Sequence, residues 1–220
     1  MRSRVITVTA IIVLAAAPSF AQSARGFVTG AGGFAVSPDT TSGDWLGEAG
    51  VRVAPNLFVF GDLGQFRNLQ PSEVQPAIDT TTAMVSGSGL TVVGSGRVPA
   101  TYALGGLRFE IPTRSRFAPY VFGGVGMAHL APTATFTYTS GPLPDNSTPA
   151  VGDDVTAQLE TAGDFGVPAT QNKAMYSLGG GIEIPVARHW AIDARYRFSR
   201  ISTDTPVHAQ GMTFGFGYRF

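Results

Sequence analysis

The stretch Gly211-Met212-Thr213-Phe214-Gly215-Phe216-Gly217-Tyr218-Arg219-Phe220 alternates without a break. Met212, Phe214, Phe216, Tyr218 and Phe220 fall on one face; Thr213, Gly215, Gly217 and Arg219 fall on the other. A period of two belongs to a β-strand with two unlike faces. The segment before it repeats the pattern, with Trp190, Ile192, Ala194, Tyr196 and Phe198 opposite Asp193, Arg195, Arg197 and Ser199. Leu178, Gly180, Ile182 and Ile184 stand opposite Gly179, Gly181 and Glu183, and Leu107, Phe109 and Ile111 opposite Arg108 and Glu110. Trp45, Ala49, Val51 and Val53 stand opposite Glu48, Gly50 and Arg52. In a sixth segment Leu57, Val59 and Leu63 oppose Asp62 and Gly64, but Phe58 and Phe60 share the Asp62 face. Segments 26–36 and 118–130 also have strand character, and the facing of 26–36, 57–67 and 118–130 stays unassigned.

The predicted strands are 26–36, 44–53, 57–67, 100–111, 118–130, 174–185, 189–199 and 210–220. The gaps between them hold 7, 3, 32, 6, 43, 3 and 10 residues, so long and short alternate. A meander does this when all its long loops leave from one end. Outer-membrane barrels have that asymmetry, with short periplasmic turns, long extracellular loops and an even strand number. A soluble lipocalin-like barrel or sandwich also alternates, with its apolar face inside. Two features favour the membrane form. Large aromatics lie near strand ends on the apolar faces (Trp45, Trp190, Tyr218, Phe220), as interfacial girdles do. The polar faces carry glycines and charges of both signs: Glu48, Asp62, Glu110, Glu183 and Asp193 against Arg52, Arg108, Arg195, Arg197 and Arg219. Five against five predicts a paired network of structural charges in the lumen, where the guanidinium fork suits carboxylates.

Composition agrees and excludes other classes. The 220 residues carry fifteen basic and fifteen acidic side chains and no cysteine. Neutrality argues against a nucleic-acid groove, and the missing cysteines exclude disulfides, thiolate metal sites and a cysteine nucleophile. Arg2 and Arg4 precede the apolar run 5–17, and Ser19-Phe20-Ala21 follows the breaker Pro18, which predicts a secretory signal over 1–21 and a barrel domain over 22–220. No later segment is long and apolar enough for a membrane helix.

The terminal stretch looks like the last-strand signal of bacterial outer-membrane barrels, an alternation of hydrophobics that ends in an aromatic. With the leader and the glycine-rich Pro119-Tyr120-Val121-Phe122-Gly123-Gly124-Val125-Gly126, the chain resembles the small OmpA-like outer-membrane β-barrel domain family. The resemblance implies an all-β fold, an eight-stranded antiparallel up-and-down transmembrane barrel in the bacterial outer membrane. It implies outer-membrane lipid and the barrel assembly machinery as partners, with Phe214, Phe216, Tyr218 and Phe220 as the assembly signal. Full-length OmpA-type proteins carry a peptidoglycan-binding domain after the barrel; nothing follows Phe220 here, so no cell-wall anchoring is expected.

No catalytic or metal-binding motif accompanies His129, His189 and His208, and no cofactor is expected. Some small barrels modify lipid A with a His and a Ser on neighbouring strands, and His208 with Ser199 or Ser202 is the candidate pair. A soluble periplasmic carrier is the other alternative. An eight-stranded lumen is filled by side chains, which disfavours a porin. The long loops hold Asp39, Glu73, Asp79, Asp145, Asp153, Asp154, Glu160, Asp164 and Asp204 against Arg97, Lys173 and Arg200. Such loops on a rigid barrel are where an extracellular ligand would bind. Thr133, Thr135, Thr137 and Thr139 alternate with Ala134, Phe136 and Tyr138, so the fifth strand is expected to run on as a β-extension above the membrane. The expected role is structural or surface-interacting, through the extracellular loops and without catalysis.

Overall fold

The computed structural model describes residues 26–220 apart from 39, 70–73, 114–116, 144, 146, 164–168 and 204–205. The leader over 1–21 lies outside the described residues, as do the loop charges Asp39, Glu73, Asp164 and Asp204 and the turn charges Arg114 and Arg116. Ten strands form: β1 (Gly26–Val36), β2 (Thr41–Ala54), β3 (Leu57–Phe66), β4 (Thr91–Arg97), β5 (Ala100–Glu110), β6 (Ala118–Leu130), β7 (Thr133–Ser140), β8 (Gln171–Pro185), β9 (Trp190–Ile201) and β10 (Val207–Arg219). Eight of them close a barrel in the order β1-β10-β9-β8-β6-β5-β3-β2. Every neighbouring pair is antiparallel, and β1 seals against β10 through Val28↔Tyr218 to Val36↔Gln210. Closure leaves no unpaired edge, which a wall surrounded by hydrocarbon requires.

Strand alternation places the two chemistries on opposite sides of the wall. Val28, Trp45, Val51, Val59, Leu63, Leu107, Val125, Leu178, Ile192, Phe214 and Phe216 all point outward. The turns at the short end are tight. Asn56 takes a positive φ of 63° after Pro55, a conformation that asparagine tolerates better than most side chains.

The facing of the three unassigned segments follows from the rings. Phe27, Phe58, Phe60, Phe66, Tyr120 and Phe122 turn inward and are buried. The lumen is therefore aromatic as well as charged. The inner glycines seat these rings: a Cβ on Gly50 would lie 2.5 Å from the Phe27 ring, one on Gly179 2.7 Å from Phe122, and one on Gly181 2.6 Å from Tyr120. Small residues on one strand make room for a ring on the next. A cylinder this narrow can then hold arginines as well.

The long end differs from the expected open loops. The segment between β3 and β5 carries α1 (Gln75–Gly87) and β4, and the segment between β6 and β8 carries β7 and α2 (Thr156–Ala162). The β-extension expected after the fifth barrel strand does form, as β7. It leaves the wall, however, and pairs with β4 in a separate two-stranded sheet. Phe136 sits opposite Gly94 in that pairing. Gly94 and Gly96 let α1 lie flat on β4, because Cβ atoms there would meet Ile78 and Val74. These elements share one buried apolar cluster with the top of the barrel: Phe136, Leu143, Val155 and Leu159 from the cap join Leu46, Phe66, Leu130, Met175 and Ile201 from the wall.

Candidate functional site

Three layers fill the axis of the barrel, and the chain order of the strands explains each. Nearest the short-turn end, Arg219 of β10 reaches Glu110 of β5, with Nη2 2.7 Å from Oε1, and also pairs with Glu183 of β8. Arg108 of β5 stands next, with Nη2 2.5 Å from Glu183 Oε2 and Nη1 3.4 Å from Glu48 Oε1. The other oxygen of Glu48 accepts from Arg195 Nη1 at 2.5 Å. Arg195 Nε donates to the Tyr120 hydroxyl at 3.0 Å, and that hydroxyl donates to Asp193 Oδ2 at 2.6 Å. Farther up, Arg197 holds Asp62 at 2.8 Å and Asp44 at 2.9 Å, and donates to the Tyr102 hydroxyl.

The rings complete the solvation of the cations. The Arg108 guanidinium carbon lies 3.6 Å from the Tyr120 ring centroid and 4.6 Å from that of Phe27. Arg195 sits 5.1 Å from Phe122 and Arg197 4.8 Å from Tyr102. A desolvated guanidinium gains from both contacts, carboxylates in its plane and ring faces above it.

The structure brings Glu48, Asp62, Arg108, Glu110, Glu183, Asp193, Arg195, Arg197 and Arg219 into this ladder. Arg52 needs a correction. Among the described residues it makes no ion pair; its guanidinium lies 5.1 Å from the Phe58 ring centroid, and its buried Nε has no partner. Arg52 stands at the mouth beside Arg219, and Arg219 and Arg108 hold Glu110 and Glu183. Asp44 is the acid that the sequence reading missed, because β2 begins at Thr41 and Asp44 is an interior position of it. The alternation Asp44, Leu46, Glu48 was the signal that could have found it. With Asp44 gained and Arg52 outside, the ladder holds six carboxylates and four guanidiniums.

The histidines stand apart from the ladder. His129 bonds Asn172 at 2.7 Å, His189 donates through Nδ1 to the Arg219 carbonyl at 3.0 Å, and His208 stacks on Phe198. Ser199 points into the lumen and bonds Ser177 at 3.0 Å, whereas His208 faces out. The candidate pair is thus split across the wall. His208 makes no hydrogen bond to Ser202 among the described residues. Nor does any group of three metal-ligating side chains form among them.

The outer surface at the short-turn end carries an aromatic cluster. Trp190 stacks on Phe216 at 4.9 Å and meets Tyr218 edge-on at 5.1 Å, and Tyr218 stacks on Phe220 at 6.5 Å. The Phe220 amide and carbonyl exchange hydrogen bonds with Gly26 at 3.0 and 2.8 Å. Phe214, Phe216 and Phe220 remain more than half exposed.

A closed antiparallel barrel with an apolar exterior, an aromatic girdle and an ion-paired interior is a membrane-spanning β-barrel. The chain belongs to the outer membrane protein beta-barrel domain family, whose model matches residues 6–220. It is accordingly a bacterial outer-membrane protein. Its fold is similar to that of Neisserial surface protein A, at 14% identity over 89% of this chain and 96% of that one, with a TM-score of 0.53. It is also similar to a major outer membrane protein of Thermus thermophilus, at 12% identity over 90% of this chain and all (100%) of that one, with a TM-score of 0.55. No curated protein sequence matches the chain.

Proposed function

We propose that this barrel is a non-catalytic surface protein that presents a folded extracellular cap to partners outside the cell. The observation that carries this reading is the packing of α1, β4, β7 and α2 into one apolar core over the barrel mouth. A cap with its own sheet, seated on the barrel through a shared core, has a fixed outer surface, and a fixed surface binds without the entropy cost of ordering a loop. The ladder below it supports the reading, because ion pairs and rings occupy the lumen where a transport path would run. Met84, Val93 and Val151 are exposed on the cap and offer apolar contact to a partner. The acids Asp79, Asp145, Asp153, Asp154 and Glu160 lie on the same two long connections.

Within this reading the lumen charges are structural. The stripe Phe214, Phe216, Tyr218 and Phe220 serves assembly and insertion into lipid, as a signal to the assembly machinery. The segment 1–21 serves export.

The test compares cells that carry the wild-type protein with cells that carry a Met84→Ser, Val93→Thr, Val151→Ser triple variant. Attachment to host-cell and matrix-coated surfaces is expected to fall at equal amounts of protein in the membrane. Lipid A extracted from cells with and without the protein is expected to show one mass profile. Unchanged attachment removes the surface role, and a new lipid A species removes the non-catalytic one.

A further inference from the structure

We infer that the periplasmic mouth of the barrel is a binding site for a phosphate group. A cavity of about 400 Å³ opens there, on the side of the lumen away from the cap. Arg52, Arg188 and Arg219 line it, together with His189, Trp190 and Phe220, and none of the lining side chains is a carboxylate. Two of the three arginines make no ion pair among the described residues. Arg219 is engaged by Glu110 and Glu183. Arg52 has no ion pair among the described residues, although Phe58 holds its guanidinium in place and its Nε is buried without a partner. Arg188 projects from the exposed tight turn between β8 and β9 and likewise makes no ion pair among the described residues.

An arginine kept unpaired in a half-buried position carries a desolvation cost that a bound anion would offset. The planar guanidinium presents parallel N–H donors that match a tetrahedral oxyanion, and two arginines facing one cavity can share its oxygens. The height of the cavity fits this ligand. Trp190, Tyr218 and Phe220 form the lower aromatic girdle, and such girdles lie at the level of the lipid headgroups. One wall of the cavity therefore borders the phosphates of the inner leaflet, and its opening faces the periplasm. The same chemistry admits a phospholipid headgroup or a soluble phosphate-bearing solute. The inference does not depend on the cap, since the cavity and the cap lie at opposite ends of the ladder.

The sequence has two tryptophans, and Trp190 lines the cavity. Trp45→Phe thus leaves one indole as a reporter. That variant, folded in maltoside micelles, is titrated in one arm with inorganic phosphate, against chloride at equal ionic strength. In the other arm it is titrated with phosphatidylglycerol mixed into the micelles, against an uncharged lipid. A saturable change in Trp190 emission is expected in at least one arm, and the responding arm identifies the source of the phosphate. Arg52→Gln and Arg188→Gln, added singly, should each weaken the response about tenfold or more, in line with a charge-assisted hydrogen bond. Heat-modifiable migration on gels should be unchanged in both, because neither side chain belongs to the ladder. Absence of a saturable response in both arms overturns the site. So does an affinity unchanged from that of the Trp45→Phe parent in both glutamine variants, whichever ligand responds.

Discussion

Toward the short turns the lumen is filled by arginines, carboxylates and rings, and around and above Asp44 and Arg197 it is shared with Leu46, Phe66, Leu130 and Met175, which are continuous with the cap core. The two regions occupy the same cylinder and have opposite chemistry. The lower one is bounded by eight strands whose outer faces must be apolar, so its polar inner faces must satisfy one another. The upper one meets two long connections that return over the mouth, and there apolar burial is available as in a soluble domain. The ladder is therefore sensitive to the loss of a single charge, and the cap to the loss of volume.

The largest expected effect separates the wall from the cap in assembly. Removal of Phe220 deletes a girdle aromatic and two backbone hydrogen bonds to Gly26. Membrane levels of that protein are expected to collapse, whereas the cap-surface triple variant should accumulate normally. Equal levels of the two in membrane fractions would remove the terminal signal. Next in size, Arg195→Ala leaves Asp193 without an ion pair and Glu48 with only the 3.4 Å contact to Arg108, and should cost about 3–5 kcal/mol in urea unfolding. Asp62→Asn, by contrast, removes one of the two surplus carboxylates and should cost under about 1 kcal/mol, since an amide can still accept from Arg197. Equal costs would mean that the sign of the charge does not matter, and the lumen would be better described as hydrated than as a dry ladder.

Phe136→Ala probes the cap alone. Phe136 is fully buried between Gly94 and α2, and a Phe→Ala cavity of this kind costs about 3–5 kcal/mol. The loss should appear as rapid proteolysis of residues 140–163 on intact cells, with heat-modifiable migration retained. If the whole barrel lost stability instead, cap and wall would be one cooperative unit. Gly181→Ala should cost about 1–3 kcal/mol, because the added methyl meets the Tyr120 ring that seats Arg108 and Arg195. Unchanged urea midpoints would show that the ring can move aside.

The smallest expected effect is a pH dependence confined to the cap. Asp154 accepts from the Thr156 hydroxyl at 2.6 Å and from its amide at 2.9 Å, and these bonds hold its carboxyl below the ordinary value of 3.8. A lowered folded-state pKa stabilises the start of α2 above the unfolded value and is lost as pH falls through the folded one. Amide exchange in α2 should therefore accelerate as pH falls below about 4, relative to the ordinary pH dependence of exchange. Asp154→Asn should abolish this step, and a step of equal size in that variant would assign the effect to another group.

The sequence by itself determined the wall. Period-two alternation, the rhythm of the gaps and the girdle aromatics specify strand number and topology, and the facing of five of the eight segments, because each is a local consequence of a pleated chain between lipid and lumen. The paired arginines and acids were legible for the same reason, since Arg108, Glu183, Arg195 and Arg197 interrupt apolar alternation on one side only. Of the cap, only the β-extension over 133–139 was legible. The α1 segment Gln75–Gly87 is rich in threonine and weakly amphipathic, and only Pro76 in its first turn and the spacing of Ile78, Thr81 and Val85 hint at a helix. Which partner each charge takes was also decided by the tertiary structure. Arg195 finds Glu48 from 147 residues away, and Glu110 and Glu183 are held by Arg219, which closes the barrel from the last strand, and by Arg108, whereas Arg52 makes no ion pair among the described residues. Distances across a closed cylinder depend on stagger and on which rings the inner glycines admit, and neither is a property of any one strand.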